Sequence, residues 1–311
     1  DTNDNVVSNG DAITMRNSFV GLAGGWGTFL VGRHDTPLKI STGKLDLFAD
    51  TLADYNHTLG FHDVRADNTV AYISPSFSGF QFAAATVPSG GSTPLGWGAP
   101  GDSPDGIADA WSAALIYTNG PWYASAAYER LGEKHWESTR DFEYQDLNTG
   151  ITNTSYLGIP GYGTADDWNK WRLGLGVLDW NGFTLTGIYE SHDNVIGAPR
   201  DSDMTIWQVQ AGYSFGNNTI KGMYGNNDAD SCVGVIYSGT CSAAVQSANQ
   251  YYGGVAPVAE LAYLNQRDHN SWAVAFDHNF SKRTRAYALY SQTDSDQVSS
   301  DWSGFSLGLT H

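Results

Sequence analysis

Apolar and polar residues alternate with a period of two along much of this 311-residue chain. Such alternation predicts β-strands that have one apolar and one polar face. The clearest example covers residues 111–117, where Trp111 and Leu115 share one face and Ser112 and Ala114 share the other. A short turn and a second alternating run follow directly, so this segment predicts a β-hairpin.

The same order of strand, short turn, strand and long polar loop recurs along the chain. The predicted strands, about thirteen in number, cover residues 13–23, 28–34, 68–74, 80–87, 111–117, 122–130, 168–179, 183–190, 205–214, 219–225, 271–280, 284–291 and 302–311. Strands of this length, with short turns alternating with long loops, are typical of outer-membrane barrels. Aromatic residues at the strand ends fit interfacial girdles. A soluble β-sandwich also alternates, but it rarely keeps its long loops at one end.

One connection differs from the other loops because it mixes aliphatic and charged residues. It runs from Arg33 to Asp54 and reads RHDTPLKISTGKLDLFADTLAD. The segment is far too long for a turn. It shows no helix or strand pattern of useful length, so an irregular loop is predicted.

The charge of the chain restricts its partners. Asp and Glu number 33 against 16 Lys and Arg, which gives a net charge of −17. No basic patch interleaves with aromatic residues, so nucleic acid is not an expected partner. No apolar run reaches the roughly 18 residues that a membrane-spanning helix needs, so a membrane role would require strands. An acidic channel or surface favours cations over anions, although the charge could also serve solubility alone.

Other candidate chemistry is sparse. Cys232 and Cys241 are the only cysteines, and their spacing suggests a disulfide that staples a loop, with free thiols as the alternative. Asp228 and Asp230 resemble the start of a calcium loop but lack its glycine and terminal glutamate. The eight histidines show neither an HExxH motif nor zinc-site spacing. No catalytic residue, metal or cofactor is therefore expected.

Five segments spread over the chain carry a resemblance to a known family. They are RNSFVGLAG at 16–24, GTFLVGRHDTPLK at 27–39, DLFAD at 46–50, NTVAYISPSFSGF at 68–80 and FDHNFSKRTRAYALYS at 276–291. In these segments the chain resembles the general diffusion porins of Gram-negative bacteria. The resemblance implies an all-β fold, a transmembrane antiparallel β-barrel that has sixteen strands in the family, about thirteen of them visible here, and an inward-folded constriction loop.

The directions of the predicted strands bear on how much of such a barrel is present. The first precedes a short turn and the last follows a long loop, so both run the same way and cannot pair in an antiparallel barrel. Since bacterial single-chain barrels have even strand totals, an odd number of strands is expected to be missing. Against the sixteen strands of the family, the resemblance implies that residues 1–311 are a single porin domain that lacks the first three strands and the extreme C-terminus.

The resemblance also implies a pore constriction, because in this family a long loop carries acids into the barrel and faces arginines on the wall. The matching residues are Asp46, Asp50 and Asp54 on the loop, with Arg16, Arg65, Arg33 and Lys39 as the basic partners. Arg33 has the parity of Phe29 and Val31, so a bulge or strand end would have to turn it inward. Opposed carboxylates and guanidinium groups would order water across the pore, or alternatively would pair and pin the loop.

By the same resemblance, the chain is expected to be a passive outer-membrane channel for small hydrophilic solutes and ions. A homotrimer in contact with outer-membrane lipid and lipopolysaccharide is implied, without enzymatic activity. The acidic charge predicts weak cation selectivity. A substrate-selective outer-membrane channel and a secreted β-rich carbohydrate-binding protein remain open as alternatives.

Overall fold

The computed structural model describes residues 16–88, 107, 110–131, 141–145, 152–156, 167–193, 203–229, 268–295 and 301–310. They form a 13-stranded sheet in which each strand pairs antiparallel with the next. The strands of this sheet and of a separate two-stranded hairpin, β7–β8, are β1 Ser18–Gly24, β2 Gly27–Asp35, β3 Arg65–Ile73, β4 Phe80–Thr86, β5 Ala110–Asn119, β6 Trp122–Leu131, β7 Asp141–Gln145, β8 Thr152–Tyr156, β9 Trp168–Trp180, β10 Phe183–Asp193, β11 Met204–Phe215, β12 Asn218–Ala229, β13 His269–Asn279, β14 Arg285–Ser295 and β15 Trp302–Thr310. The order begins at β1 and ends at β15, and these two strands do not pair within the described ranges.

The predicted strands of the main sheet are confirmed, with some of their ends displaced. β12 continues to Ala229, four residues beyond the predicted end at 225. Two features were missed: the hairpin β7–β8 between the strands predicted at 122–130 and 168–179, and two short helices in the connection after β2. Residues 13–15 of the first predicted strand lie outside the described residues. The single-domain interpretation of residues 1–311 stays a prediction.

The helices are α1 Pro37–Thr42 and α2 Tyr55–Thr58. α1 begins where Thr36 caps the helix by accepting a hydrogen bond from the Lys39 amide, with proline at the first helical position. Both helices are too short to show a 3.6-residue period in the sequence. Within the described part of the chain, no helix is long and apolar enough to cross a membrane.

Side chains on the two faces of the main sheet have opposite character. On the outer face, large apolar side chains are exposed, for example Leu175 at 67% and Leu307 at 72%. The inner face carries polar and charged side chains, and many of them are buried beneath the segment that follows β2. A soluble monomer rarely exposes so extensive an apolar surface, whereas a barrel in lipid requires one.

Aromatic side chains form a row across the outer face near the long-loop ends of the strands. Ring pairs with centroids 4.9–5.7 Å apart are Trp111–Tyr128, Trp171–Tyr189, Trp207–Tyr224 and Trp272–Tyr290. Tyr128 lies opposite Trp171, and Tyr189 opposite Trp207, so the pairs join across neighbouring strands. Tyr213 belongs to a second group of aromatics near the short turns. At about 3.4 Å per residue it lies roughly 20 Å from Trp207 along β11, so the two groups of aromatics lie toward opposite ends of the strands, as interfacial girdles do.

Candidate functional site

The segment 36–64, which we call the inner loop, lies against the inner face of the sheet. Its hydrogen bonds reach successive strands from β5 to β13. They join Leu38 to Ser112, Ser41 to Tyr123, Thr42 to Arg172, Leu45 to Thr186, Leu47 to Gln210 and Lys221, and Thr58 to Ser271. The loop therefore covers the wall across most of the sheet.

The inner loop crosses the wall twice, at two levels. On the way out, the Leu47 carbonyl accepts a hydrogen bond of 2.7 Å from Lys221 Nζ, near the short-turn end of β12. On the way back, the Leu59 carbonyl accepts one of 2.8 Å from Asn227 Nδ2, near the other end of the same strand. The two anchors are roughly 20 Å apart along β12. The loop therefore covers the inner face at two levels and does not cross it only once.

Glycines on the inner face make room for leucines of the inner loop. A Cβ added to Gly174 would lie 2.5 Å from a methyl carbon of Leu45, and one added to Gly176 would lie 2.8 Å from the other methyl carbon of Leu45. A Cβ added to Gly304 would lie 2.8 Å from a methyl carbon of Leu52. A fourth pair, Leu59 with Gly225, is at least as close. Real Cβ atoms do not approach other atoms to such distances, so the wall accepts these leucines only where it lacks side chains.

Phe48 anchors the far end of the outward limb. It is fully buried in an apolar cluster with Ala53, Met223, Ala273, Ala275 and Leu289. Lys221 Nζ lies 5.0 Å from the centre of its ring. The aliphatic and aromatic residues of the inner loop thus pack on the wall, as expected if the loop lies inside the barrel.

A cluster of buried ion pairs fastens the return limb to β6, β9 and β10. Arg172 pairs with Glu190 on β10 and with Asp63 on the inner loop, the latter at 2.6 Å. Lys170 pairs with Glu129 on β6, and its Nζ lies 3.0 Å from His62 Nδ1. Burial and the nearby ammonium group of Lys170 lower the pKa of His62 well below its usual value.

This cluster corrects the interpretation of two strand residues. Lys170 and Arg172 have the polar-face parity of their strand, which from the sequence alone predicts side chains that add positive charge to the wall or are simply solvated in the lumen. Both side chains are 0% exposed, so they neither face water nor act as free wall charges. Their partners Glu129, Glu190 and Asp63 were missed, although the two glutamates share the inner-face parity of their strands.

The three predicted aspartates occupy different environments. Asp54 is 8% exposed and caps α2: its Oδ1 accepts from the Asn56 amide at 2.9 Å and its Oδ2 from the Asp50 amide at 3.0 Å. Asp46 Oδ1 accepts hydrogen bonds from Gln210 Nε2 and a loop amide, whereas its Oδ2 is buried. Burial and the negative charge of Asp54 raise the pKa of Asp46 to about 7. Asp50 is exposed, so it is the aspartate of the three that is most accessible to water.

Two of the predicted basic residues meet at the base of the inner loop. Arg65 Nε lies 3.0 Å from Asp35 Oδ1, and Lys39 Nζ lies 3.3 Å from the same oxygen. Arg65 also donates to Asn17 Oδ1 at 2.9 Å and is 7% exposed. Asp35, which the prediction did not include, therefore draws these two cations together.

Arg33 lies at an irregularity in β2. The pairing of β2 with β3 shifts register between Gly32 and His34, and Gly32 has a φ of 137°. The irregularity lies at the position where the parity of Arg33 required a bulge, and the Arg33 Nε atom is buried; its place in the constriction stays a prediction. Arg16 lies exposed just before β1. Cys232 and Cys241 fall outside the described residues, so their disulfide stays a prediction.

Comparisons with known proteins agree with this architecture. The model of a family described as Gram-negative porin matches residues 1–298. The major outer membrane protein P.IB of Neisseria gonorrhoeae is 23% identical over 278 residues, which is 87% of this chain and 65% of that protein. The chain thus spans less than two thirds of the length of this relative.

Solved porin structures show the same fold at low sequence identity. An anion-selective porin from Comamonas acidovorans has a TM-score of 0.57 at 16% identity, over 96% of this chain and 78% of that one. The OmpF protein of Salmonella typhi, solved in complex with daunomycin, has a TM-score of 0.58 at 12% identity, over 95% and 77%. Together with the family match over residues 1–298, these findings show that the chain belongs to the Gram-negative porin family: it is a β-barrel protein of the outer membrane and not an enzyme.

Proposed function

We propose that this protein forms a water-filled channel through which small hydrophilic solutes and ions cross the outer membrane by passive diffusion. The observation that carries the proposal is the inner loop, anchored on the inner face at two levels. A strand-lined pore wide enough to hold water needs narrowing before it can act as a sieve. The buried ion pair of Arg172 with Asp63 and the contacts of Lys170 with His62 hold the return limb of the loop on the wall.

The charged residues of the loop and its base form the proposed constriction. Its members are Asp46 and Asp50 on the loop, and Arg16, Arg33, Arg65 and Lys39 as basic partners. Asp54 belongs to it indirectly, because as a helix cap it shapes the backbone that presents Asp50. Weak cation selectivity is proposed because the net charge is −17 and Asp50 is exposed.

Planar-bilayer recording tests the function directly. The refolded protein should produce stepwise conductance increments that rise linearly with KCl concentration, and reversal potentials in a KCl gradient should favour K⁺. A folded protein that inserts without conducting would defeat the channel. A reversal potential that favours Cl⁻ would leave the channel intact but defeat the proposed selectivity.

We also propose that the channel is a homotrimer embedded in outer-membrane lipid and lipopolysaccharide. Trimeric porin barrels resist SDS until they are boiled. Unheated samples should therefore migrate as a compact oligomer and heated samples as a monomer, and chemical cross-linking should stop at three subunits. A species that stays monomeric in lipid bilayers would contradict the trimer.

A further inference from the structure

A polar recess of about 200 Å³ lies beside the inner loop at Leu47, toward the short-turn ends of β10 to β14. It is separate from the residues predicted for the constriction. The polar side chains used below are Lys221, Asp277, Arg285, Ser214 and Thr219. They all have the inner-face parity of their strands, so the recess lies on the inner face of the sheet.

The recess has a net positive charge. Lys221 Nζ lies 3.1 Å from Asp277 Oδ2, and Arg285 Nη1 lies 3.3 Å from the same oxygen. Two cations therefore share one carboxylate, which favours an anionic ligand. Lys221 is also committed to the Leu47 carbonyl at 2.7 Å. The Arg285 side chain is 39% exposed, and among the described residues its one ion pair is the long contact with Asp277, so its guanidinium group is available to bind a carboxylate in a forked geometry.

Besides a negative charge, a ligand of this recess would need a hydrogen-bond donor for Asp277. Its side chain is 5% exposed, and Oδ1 is buried without a hydrogen-bond partner in the described part of the chain. A buried carboxylate oxygen without a donor is destabilising, so a donor is expected there. The hydroxyls of Ser214 and Thr219 lie in the same recess, where they bond to each other at 2.9 Å. A matching ligand carries a carboxylate for Arg285 and, next to it, a hydroxyl group that donates to Asp277.

We propose that this recess is a binding site for small α-hydroxy carboxylates on their way through the channel. The carboxylate pairs with Arg285, the hydroxyl donates to Asp277 Oδ1, and Lys221 holds the Leu47 carbonyl at the edge of the site. The inference rests on the proposed function, because the site is reached from the lumen. It adds a class of solute that a general sieve would not distinguish.

Lactate and propionate form a matched pair of probes, since they differ only in the hydroxyl group. Isothermal titration calorimetry on the folded full chain in detergent should show saturable lactate binding that is at least about tenfold tighter than propionate binding. Arg285→Gln should weaken lactate binding by about tenfold or more. The control is Lys282→Gln, which removes the same charge from an exposed turn position and should leave binding unchanged.

Several outcomes would overturn the site. Equal binding of lactate and propionate would mean that water satisfies Asp277. Unchanged lactate binding in Arg285→Gln, or equal losses in both variants, would mean that the recess does not hold the anion. Heat-shifted gel mobility verifies that each variant is folded. Calorimetry does not require conductance, so the two proposals can fail separately. A protein that conducts without binding lactate refutes the site and leaves the proposed function. A protein that binds lactate without conducting refutes the proposed function and the passage of lactate through the channel, and it leaves only lactate binding in the recess.

Discussion

The packing of Leu45 against Gly176 gives the sharpest test of how the inner loop is held. Leu45 is 0% exposed, and its Cδ2 lies 2.8 Å from where a Cβ on Gly176 would stand. The other neighbours of that position are 3.3 and 3.5 Å away, so Gly176→Ala collides mainly with Leu45. The substitution should push the outward limb of the loop off the wall without breaking the strand.

The magnitudes follow from the contacts. Leu45→Ala removes a fully buried side chain and should lower the free energy of unfolding by about 2–5 kcal/mol. Gly176→Ala overpacks the site at a cost of about 1–3 kcal/mol, offset by about 0.5–1 kcal/mol because alanine is better than glycine within a strand. In the double variant the new methyl group enters space that Leu45 has vacated. The double variant should therefore be more stable than the sum of the two single effects predicts, by about 1–2 kcal/mol.

Urea unfolding in detergent, followed by tryptophan fluorescence, measures these free energies. Single-channel conductance should rise in Gly176→Ala, because a displaced loop narrows the pore less. The control is Gly222→Ala, where the added Cβ meets its nearest neighbour at an ordinary 3.5 Å. The reasoning fails if the two single effects add within about 0.5 kcal/mol, or if Gly176→Ala is as mild as the control.

Three further predictions concern charges. Asp50→Asn should reduce the preference for K⁺ in reversal-potential measurements, whereas Asp294→Asn at the exposed end of β14 should not. Equal shifts of the reversal potential in the two variants would show that Asp50 does not lie in the constriction. The pKa of Asp46 is raised from 3.8 to about 7, so its protonated form favours the docked loop, and stability should fall as pH rises from about 4 through 7. Asp46→Asn should abolish that component of the urea-unfolding pH profile, and a profile identical to the parent protein would refute the assignment. Arg172→Met removes the guanidinium group that pairs with the buried carboxylates of Glu190 and Asp63, and it should cost about 3–5 kcal/mol in urea unfolding. Arg130→Met should cost only about 0–1 kcal/mol, because its ion pair is partly exposed. Equal losses would show that the cluster does not hold the loop.

The strands were predictable because a sheet with lipid on one face and polar groups on the other imposes its period on the sequence. The turn Asn181-Gly182 was equally readable, and both residues have positive φ, at 53° and 84°, as a tight hairpin turn requires. The location of the segment 33–54 inside the barrel could not be predicted from a pattern in the same way. The segment 33–54 has no period, so only the family resemblance predicted where it lies.

The environments of the charged residues could not be predicted from parity alone. Next to the turn between β9 and β10, Phe183 lies opposite Trp180. If this register continued along the two strands, Arg172 would lie opposite Ser191. An irregularity between Phe183 and Leu185 shifts the register by one residue and places Arg172 opposite Glu190. A one-residue shift of this kind leaves no clear mark in the sequence. Within an irregular loop, likewise, no period distinguishes an exposed aspartate such as Asp50 from a buried helix cap.

The position of the inner loop in the chain has a consequence for folding. Its contacts with the wall are long-range: Leu38 binds Ser112 across 74 residues, and Thr58 binds Ser271 across 213. These contacts can form only after the later strands have paired, and closing such long segments is slow. Docking of the loop therefore comes late in assembly. Local release of the loop, with the sheet intact, is accordingly the first opening expected when the protein is destabilised.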